Sequence, residues 1–412
     1  MRKGEEMRYV VIGIADTKAP HIADEASRAI ARSRVFSGGR RHHEAVGHML
    51  PAGAQWIDIT APIDEVFERY KASGAKEIVV FASGDPLFYG FASTIRKREP
   101  EAELVVYPTF NSLQTLAHRL LMAYQDMRMV SLTGRPWHSL DRALIEGCRK
   151  IGVLTDGRHS PAEVAARLLA YGYEGYTVYI GERLGGEGER VSRKTLEEAA
   201  RYDAQKPNCI ILAGEPNRRR WGIDEAEFET LEGRPGMITK KAVRLLTLQA
   251  LDLYDHDILV DIGACTGSVS IEARLLFPHT AAVAIERREE CRRIIAANAK
   301  HFGAPGVETI IGDYNEFCLE SIDDIYHRMT GREGRARKAF FIGGHGGRLA
   351  DIMRKTAAGM EKGDIMVMNS VAEASRTTFE LTVRKEGLVM EKPTVASIDG
   401  HNTISIMKCG KN

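Results

Sequence analysis

The amino-acid sequence predicts an α/β protein of two domains on three grounds. Short apolar runs alternate with amphipathic stretches along nearly the whole chain, the pattern of strands joined by crossover helices. At 412 residues the chain exceeds what one ordinary core fills, so two domains of about 200 residues are expected. Between Glu215 and Met237 the charge is mixed, periodicity is weak and the stretch ends Gly-Arg-Pro-Gly, which places a linker over 214–236 between domains 7–213 and 237–412. Each half has its own alternating elements, so the two are expected to fold separately. They share no motif, so duplication does not account for the length.

Composition narrows the class. An apolar fraction of 44% supports globular packing, and a formal net charge of +1 gives no bulk attraction to nucleic acid. The six cysteines, at 148, 209, 265, 291, 318 and 409, form no C-x-x-C pair and have no zinc-type histidine spacing, so reduced thiols and no metal are expected. No apolar run approaches the ~18 residues of a membrane span, and the N-terminus enters a strand without a signal-type apolar region. A soluble, cytoplasmic homo-oligomer with no membrane or nucleic-acid partner is expected. The basic loop GREGRARK at 331–338 lacks aromatic residues and reads as a solvated connection.

In the first half, Tyr9 to Ile14 is a strand leading into the loop at 15–20, and a helix follows over 23–33. VFSGGRRHHE at 35–44 reads as a solvated basic turn; a metal reading of His42 and His43 lacks an acid or thiol partner at ligand spacing. Strand 77–82 feeds SGDPLFYG at 83–90, and strand 104–107 feeds Pro108, Thr109, Phe110, Asn111 and Ser112 before a helix over 113–124. Small residues, a proline and a carboxylate at the carboxyl end of a parallel strand make a ligand loop, although each such loop alone is a weak signal. Arg135 stands at the end of the next strand, Ser160 and Pro161 open a helix, and strands 176–180 and 208–213 flank GERLGGEGERV.

The second half opens with an amphipathic helix over ITKKAVRLLTLQALDL and then reaches its most informative stretch, Ile258 to Glu286. Ile258 to Val260 reads as a buried strand, Gly263 to Gly267 as a loop and Ser268 as the start of a helix whose free N–H groups suit a carboxylate or phosphate. Glu286 ends the next strand 23 residues after Gly263 (286 − 263), placed to accept hydrogen bonds from a ribose diol. D-x-G-x-C-x-G lacks the G-x-G-x-x-G spacing of a dinucleotide site and is similar to the S-adenosylmethionine loop of class I methyltransferases with the middle glycine replaced by Cys265. A strand-turn-helix with no ligand is the plain alternative. Helices over 289–302, 316–329 and 372–385, and strands over 307–311, 339–342 and 364–369, complete the alternation. A closing antiparallel pair, 388–397 and 403–408, is joined by Asp399 to Asn402.

Together these residues carry a family resemblance. MITKKAVR, DIGACTGSVSIEA, AIERREE, FFIGGHGG and VMNSVAEAS resemble the precorrin-6B C-15 methyltransferases of cobalamin biosynthesis, which also decarboxylate their substrate. GGRRHHE, SGDPLFYG, SLTGRP, SPAEVAARLL and GERLGGEGERV resemble the tetrapyrrole C-5 methyltransferases of the same pathway. The fused order resembles the bifunctional precorrin-6Y C-5,15-methyltransferase (decarboxylating) family. The resemblance implies an N-terminal class III (tetrapyrrole) methyltransferase fold in two lobes and a C-terminal class I Rossmann-like fold. It also implies methylation of a corrin precursor, precorrin-6B or its cobalt form, at C-5 and C-15 with decarboxylation of the C-12 acetate.

Two S-adenosylmethionine sites per chain follow from that resemblance. One is set against Ser83, Gly84, Asp85, Phe88, Asn111 and Ser112 in a cleft between the lobes, the other against Thr239, Gly263, Ala264, Cys265, Thr266, Gly267, Glu286 and Tyr314. Three positions depart from the family pattern: GIADTKAP replaces a Gly-Pro-Gly turn, Thr109 replaces a glycine and Cys265 replaces the middle glycine of its loop. Methyl transfer from a sulfonium asks mainly for alignment, so no catalytic triad is needed. A substrate bearing several carboxylates needs cations or free amides, and the candidates are Arg40, Arg41, Arg135, Arg158, Arg183, Lys240, Lys241, Arg348 and the loop with Gly344 and Gly346. Each cation alone also reads as an ordinary solvated side chain. His345 is the one candidate for proton transfer, with a helix-capping role ranked ahead of it. Methylation of RNA or protein, and a scaffold with an inactive first half, are the rival readings.

Overall fold

The computed structural model describes residues 7–15, 17, 20–216, 219–398 and 403–411. The turn expected at 399–402 and part of the loop at 15–20 lie outside the described residues. Two compact units are present. The first comprises residues up to 133 with 150–165 and 177–213, the second 134–149, 166–176 and the chain from 214 onward.

In the first unit, β1 (Arg8–Ile14), β2 (Val35–Gly38), β3 (Gln55–Asp58), β4 (Glu77–Ser83) and β5 (Glu103–Tyr107) form a parallel sheet in the order β3-β2-β4-β1-β5. Period-2 alternation sends Tyr9 and Val11 into one core with Val66, Tyr70 and Ile95, and Val10 and Ile12 into another with Ala26 and Ile30. Burial on both faces is why these strands read as unbroken apolar runs. Helices α1 (Asp24–Arg32), α2 (Arg40–Val46), α3 (Ile63–Ala72), α4 (Phe91–Arg98) and α5 (Ser112–Arg119) belong to this part of the chain. The expected basic turn at 35–44 is instead the whole of β2 followed by α2, with Gly39 as N-cap and the Arg40–Glu44 pair at i,i+4 supporting the helix.

A second sheet holds β6 (Arg128–Ser131), β7 (Lys150–Leu154), β8 (Tyr176–Glu182), β9 (Arg190–Lys194) and β10 (Asn208–Gly214) in the order β6-β7-β10-β8-β9. The chain passes from the first sheet to the second between 107 and 128. The glycine-rich stretch after β8 is the turn of an antiparallel β8–β9 hairpin. Helices α6 (His138–Ile145), α7 (Pro161–Ala170) and α8 (Leu196–Ala199) complete this stretch. Within the second unit, buried Asp141 of α6 takes a two-pronged pair from Arg167, both contacts 2.7 Å, and the Tyr173 hydroxyl donates to the Gly303 carbonyl at 2.7 Å.

The large sheet of the second unit contains β11 (Ile258–Ile262), β12 (Ala281–Glu286), β13 (Val307–Ile311), β14 (Lys338–Ile342), β15 (Ile365–Ser370), β16 (Val389–Met390), β17 (Thr394–Ala396) and β18 (Ile404–Gly410). Its order is β13-β12-β11-β14-β15-β18-β16, with β17 also on β18 and β18 antiparallel to β15. The expected strand 388–397 is thus two short pieces, broken where Pro393 has no N–H to give. Helices α9 (Lys241–Ala250), α10 (Ser268–Leu276), α11 (Glu290–His301), α12 (Ser321–Thr330), α13 (Leu349–Gly359) and α14 (Glu373–Lys385) cover it. Val269 and Ala273 of α10 pack with Leu259 and Phe341, whereas Leu349, Ile352 and Met353 of α13 pack with Val260 and Phe340. The helices after β11 and β14 therefore lie on opposite faces of the sheet.

The segment expected to be a plain linker is packed instead. Ile223 and Phe228 are buried against Ile271, Ala299 and Phe302. Glu272 and Arg244, both fully buried and paired, also hold its backbone: Glu272 accepts from the Gly222 and Ile223 amides, and Arg244 donates to the Ile223 carbonyl. Weak periodicity hid this because Ile223, Phe228 and Leu231 anchor an otherwise polar stretch without helical or strand spacing. Phe228→Ala should destabilise the second unit by about 3–5 kcal/mol, whereas Trp221→Ala, at a side chain 63% exposed, should stay within about 0.5 kcal/mol. Denaturant unfolding of the full chain checks this; a near-neutral Phe228→Ala would restore the free-linker view.

Candidate active sites

Because α10 and α13 leave the sheet on opposite faces, the carboxyl ends of β11 and β14 face an uncovered crevice, where parallel α/β sheets take ligands. A cavity of about 450 Å³ opens there. Of the candidates it is lined by Thr239, Gly263, Ala264, Cys265, Thr266, Glu286, Tyr314, Gly344, His345, Gly346 and Arg348, joined by Asp261, Arg287, Arg288 and Asp313. A Cβ on Gly263, whose φ is +74°, would stand 2.5 Å from the Gly344 carbonyl oxygen, so only glycine lets the two loops approach.

Glu286 organises this cavity. One carboxylate oxygen accepts from the Arg287 amide at 2.8 Å and from the Arg288 amide and guanidinium, both at 3.1 Å. Among the described residues the other accepts only the Cys265 amide, at 3.0 Å, and keeps a lone pair for a further donor. Cys265 has φ +49°, a left-handed geometry that costs an L-residue roughly 1–2 kcal/mol, and the charge-assisted bond to Glu286 holds it there. Gly267, at φ +72°, is the N-cap of α10 and has no side chain to satisfy the helix's first N–H groups. Two buried oxygens, Asp261 Oδ1 and Thr266 Oγ1, have no hydrogen-bond partner among the described residues. The other Asp261 oxygen accepts from Ser270 Oγ at 2.8 Å. Burial, with a smaller contribution from the Glu286 charge, pushes the Asp261 carboxyl up to about 7.

Neighbouring groups are engaged elsewhere. Arg348 pairs with Asp313, and the Tyr314 hydroxyl hydrogen-bonds Thr356 Oγ1 at 2.8 Å. His345 Nδ1 accepts the Gly347 amide at 3.2 Å, closing a local turn ahead of α13 rather than capping it.

The first unit holds a larger cavity, about 740 Å³, lined from both of its sheets. Of the candidates, Ser83, Gly84, Phe88, Asn111, Ser112 and Arg41 line it. His42, expected in a solvated turn, lines it too. Its Nδ1 accepts the Gly39 amide at 3.1 Å, which puts the ring proton on Nε2, and Nε2 donates to Ser83 Oγ at 2.8 Å. The Ser83 hydroxyl proton is then free to point elsewhere. Asn111 is largely committed to α5: its Oδ1 accepts the Gln114 amide at 2.9 Å, and Gln114 Oε1 accepts the Asn111 amide at 3.0 Å. Partly exposed Tyr89 and Phe110 give the cavity apolar edges.

Eight candidates lie outside both linings. Asp85 accepts the Leu87 amide at 2.9 Å and serves its own turn. Arg40 faces away on α2, paired with Glu44 at 3.2 Å. Arg158 is exposed in a turn built on Asp156, and Arg183, at φ +48°, is held by its amide's bond to the Pro207 carbonyl. Arg135 belongs to the second compact unit and Lys240 is exposed at the start of α9. Gly267 turns the chain into α10 beneath the cavity loop. Lys241, also weighed as a cation, pairs with Asp224 at 3.2 Å. Strand-end cations are easy to count in a sequence, but their direction depends on turns that it does not reveal.

Comparisons with known proteins fit this pair of cavities. A family described as Tetrapyrrole (Corrin/Porphyrin) Methylases matches residues 9–200, and one described as Precorrin methyltransferase domain matches residues 232–399. A curated Precorrin-6Y C(5,15)-methyltransferase (decarboxylating) from Sinorhizobium sp is 32% identical over 367 residues, covering 88% of this chain and 84% of the relative. The chain belongs to the precorrin-6Y C(5,15)-methyltransferase family. Two shorter proteins of Salmonella typhimurium are also similar. The Cobalt-precorrin-7 C(5)-methyltransferase is 29% identical over 44% of this chain and 87% of its own length. The Cobalt-precorrin-6B C(15)-methyltransferase (decarboxylating) is 32% identical over 35% of this chain and 67% of its own. This chain thus matches two family models and has a separate cavity in each compact unit.

The raised Asp261 pKa gives a pH test. Unfolded, the carboxyl titrates near 3.8; folded, near 7. Below 3.8 both states hold the proton, and between 3.8 and 7 the unfolded state loses it first, so the stability contributed by neutral Asp261 is lost as pH rises across that window. Asp261→Asn should therefore become more stable relative to the parent from about pH 4 to about pH 7 and hold a constant difference above. Denaturation midpoints of both proteins across that range test it, and parallel curves would contradict the assignment.

Proposed function

We propose that the chain is a bifunctional S-adenosylmethionine-dependent C-methyltransferase acting on a corrin precursor, precorrin-6B or its cobalt form. Residues 7–213 methylate C-5; residues 237–412 methylate C-15 and release the C-12 acetate carboxyl as carbon dioxide. The observation that carries this is the pair of separate cavities, one per unit, in a chain that aligns over 88% of its length with a relative named for both positions. The order β13-β12-β11-β14-β15-β18-β16, with one antiparallel strand next to the edge, supports a class I Rossmann-like fold for the C-terminal half. Two five-stranded sheets joined in sequence support the two-lobed class III fold for the first.

The second cavity suits the cofactor. Its volume lies within the roughly 300–1,000 Å³ usual for small-molecule sites. Its unsatisfied groups match: the lone pair on Glu286 for a ribose hydroxyl, the uncapped α10 N-terminus for a carboxylate, and the orphaned Asp261 and Thr266 oxygens for further polar atoms. When bound, S-adenosylmethionine supplies a methyl group already activated on a sulfonium. The protein's part is alignment: Gly263 and Gly344 bring backbone close, buried Tyr314 walls the pocket, and the β11 and β14 loops fix the approach line. Substrate carboxylates meet Arg41 at the first cavity, and Arg287, Arg348 and the amides of His345 and Gly346 at the second. In the first cavity His42 orients Ser83 so that its hydroxyl donates to the ligand.

Glu286→Ala removes both a hydroxyl acceptor and the anchor of Cys265. Cofactor affinity at the second cavity should fall roughly 10- to 150-fold. With limiting cofactor, one methyl should still be added, at C-5, while C-15 methylation and carbon dioxide release fall together. Product mass and labelled carbon dioxide from one sample read this out. Decarboxylation at the parental rate with a single methyl added would separate the two reactions and overturn the assignment.

A further inference from the structure

We propose that residues 219–239 form a strap that is part of the second cavity, and that Asn298 is the positioning residue coupling it to the loop 263–267. The proposal rests on the reading that this cavity takes S-adenosylmethionine. Asn298 lies on α11, only 2% exposed, and every polar atom of its amide is used. Its oxygen accepts the Glu229 amide at 2.8 Å; its nitrogen donates to the Glu229 carbonyl and to the Thr266 carbonyl, each at 3.0 Å. One side chain thus clasps the strap's backbone by both of its groups and the cofactor loop by a third bond. A flipped amide would set donor against donor, so the arrangement is singular.

The strap is fixed on either side of this clasp. Glu272 accepts the Gly222 and Ile223 amides, and Arg244 donates to the Thr239 carbonyl at 2.6 Å. Between clasp and anchor, residues 236–239 line the cavity. Glu229 does not line it, yet it shares Asn298 with Thr266, which does. A ligand that orders the loop must therefore order the strap at Glu229, and a loosened clasp must weaken the ligand. Arg244 and Glu272 are poor probes, because truncating either strands a buried charge. Asn298 carries no charge and separates positioning from that penalty.

The test uses the full chain, S-adenosylhomocysteine as ligand and hydrogen exchange followed by mass spectrometry. In the parent, ligand should slow exchange in peptides covering both 263–268 and 226–231. Asn298→Ala should bind about tenfold more weakly, as expected for losing buried hydrogen bonds, and at saturation should protect 263–268 alone. Its C-5 methylation should be unchanged, a readout that general loss of folding would not spare. Protection of 263–268 without 226–231 in the parent overturns the strap alone, and so does parental affinity in folded Asn298→Ala. No protection at 263–268 overturns the cofactor reading and the strap with it. Should the variant fail to fold, the parent's exchange pattern decides by itself.

Discussion

The second half of the chain depends on one packing constraint: β11 and β14 are hydrogen-bonded neighbours whose following helices must cover opposite faces of the sheet. Parallel strands need right-handed crossovers, so where the direction of winding reverses neither connection can cover the strand ends. The crevice is the geometric remainder of burying both faces. Its chemistry then follows from what stands at those ends: glycines where loops nearly touch, an acid at the end of β12, and an uncapped helix.

Glu286 shows how local strain and function share one group. Cys265 occupies a left-handed conformation that glycine would take freely, and a buried carboxylate with four donors around it keeps the loop in that shape. The first cavity solves the same problem differently. There α5 is closed by a reciprocal Asn111–Gln114 capping box, and the polar display toward the cavity passes to Ser83, whose hydroxyl is oriented by His42. One site presents bare backbone and a carboxylate, the other an oriented hydroxyl with apolar edges.

Much of this was legible in the residues. Ile258 to Glu286 contains strand, turn, helix, strand and acid at spacings that only a few architectures use, and the alternation of the first half predicts its sheets. What stayed hidden depends on contacts between residues far apart in sequence. Nothing near Phe228 signals that Phe302 and Ile271 will cover it, and nothing near Asn298 signals Glu229. His42 read as part of a turn because two glycines precede it, yet Gly39 is the N-cap of a short helix that points the ring at Ser83. Arginines at strand ends were legible as charges but not as directions, which is why Arg40 and Arg158 fall outside the cavity that Arg41 lines.

That the two cavities are independent cofactor sites is the claim on which the rest stands, and binding stoichiometry tests it most directly. Calorimetric titration of the full chain with S-adenosylhomocysteine should give two equivalents per chain, resolved as two affinities because the sites offer different polar groups. A single equivalent, with no second event at higher ligand concentration, would contradict it and leave one of the two cavities without a cofactor.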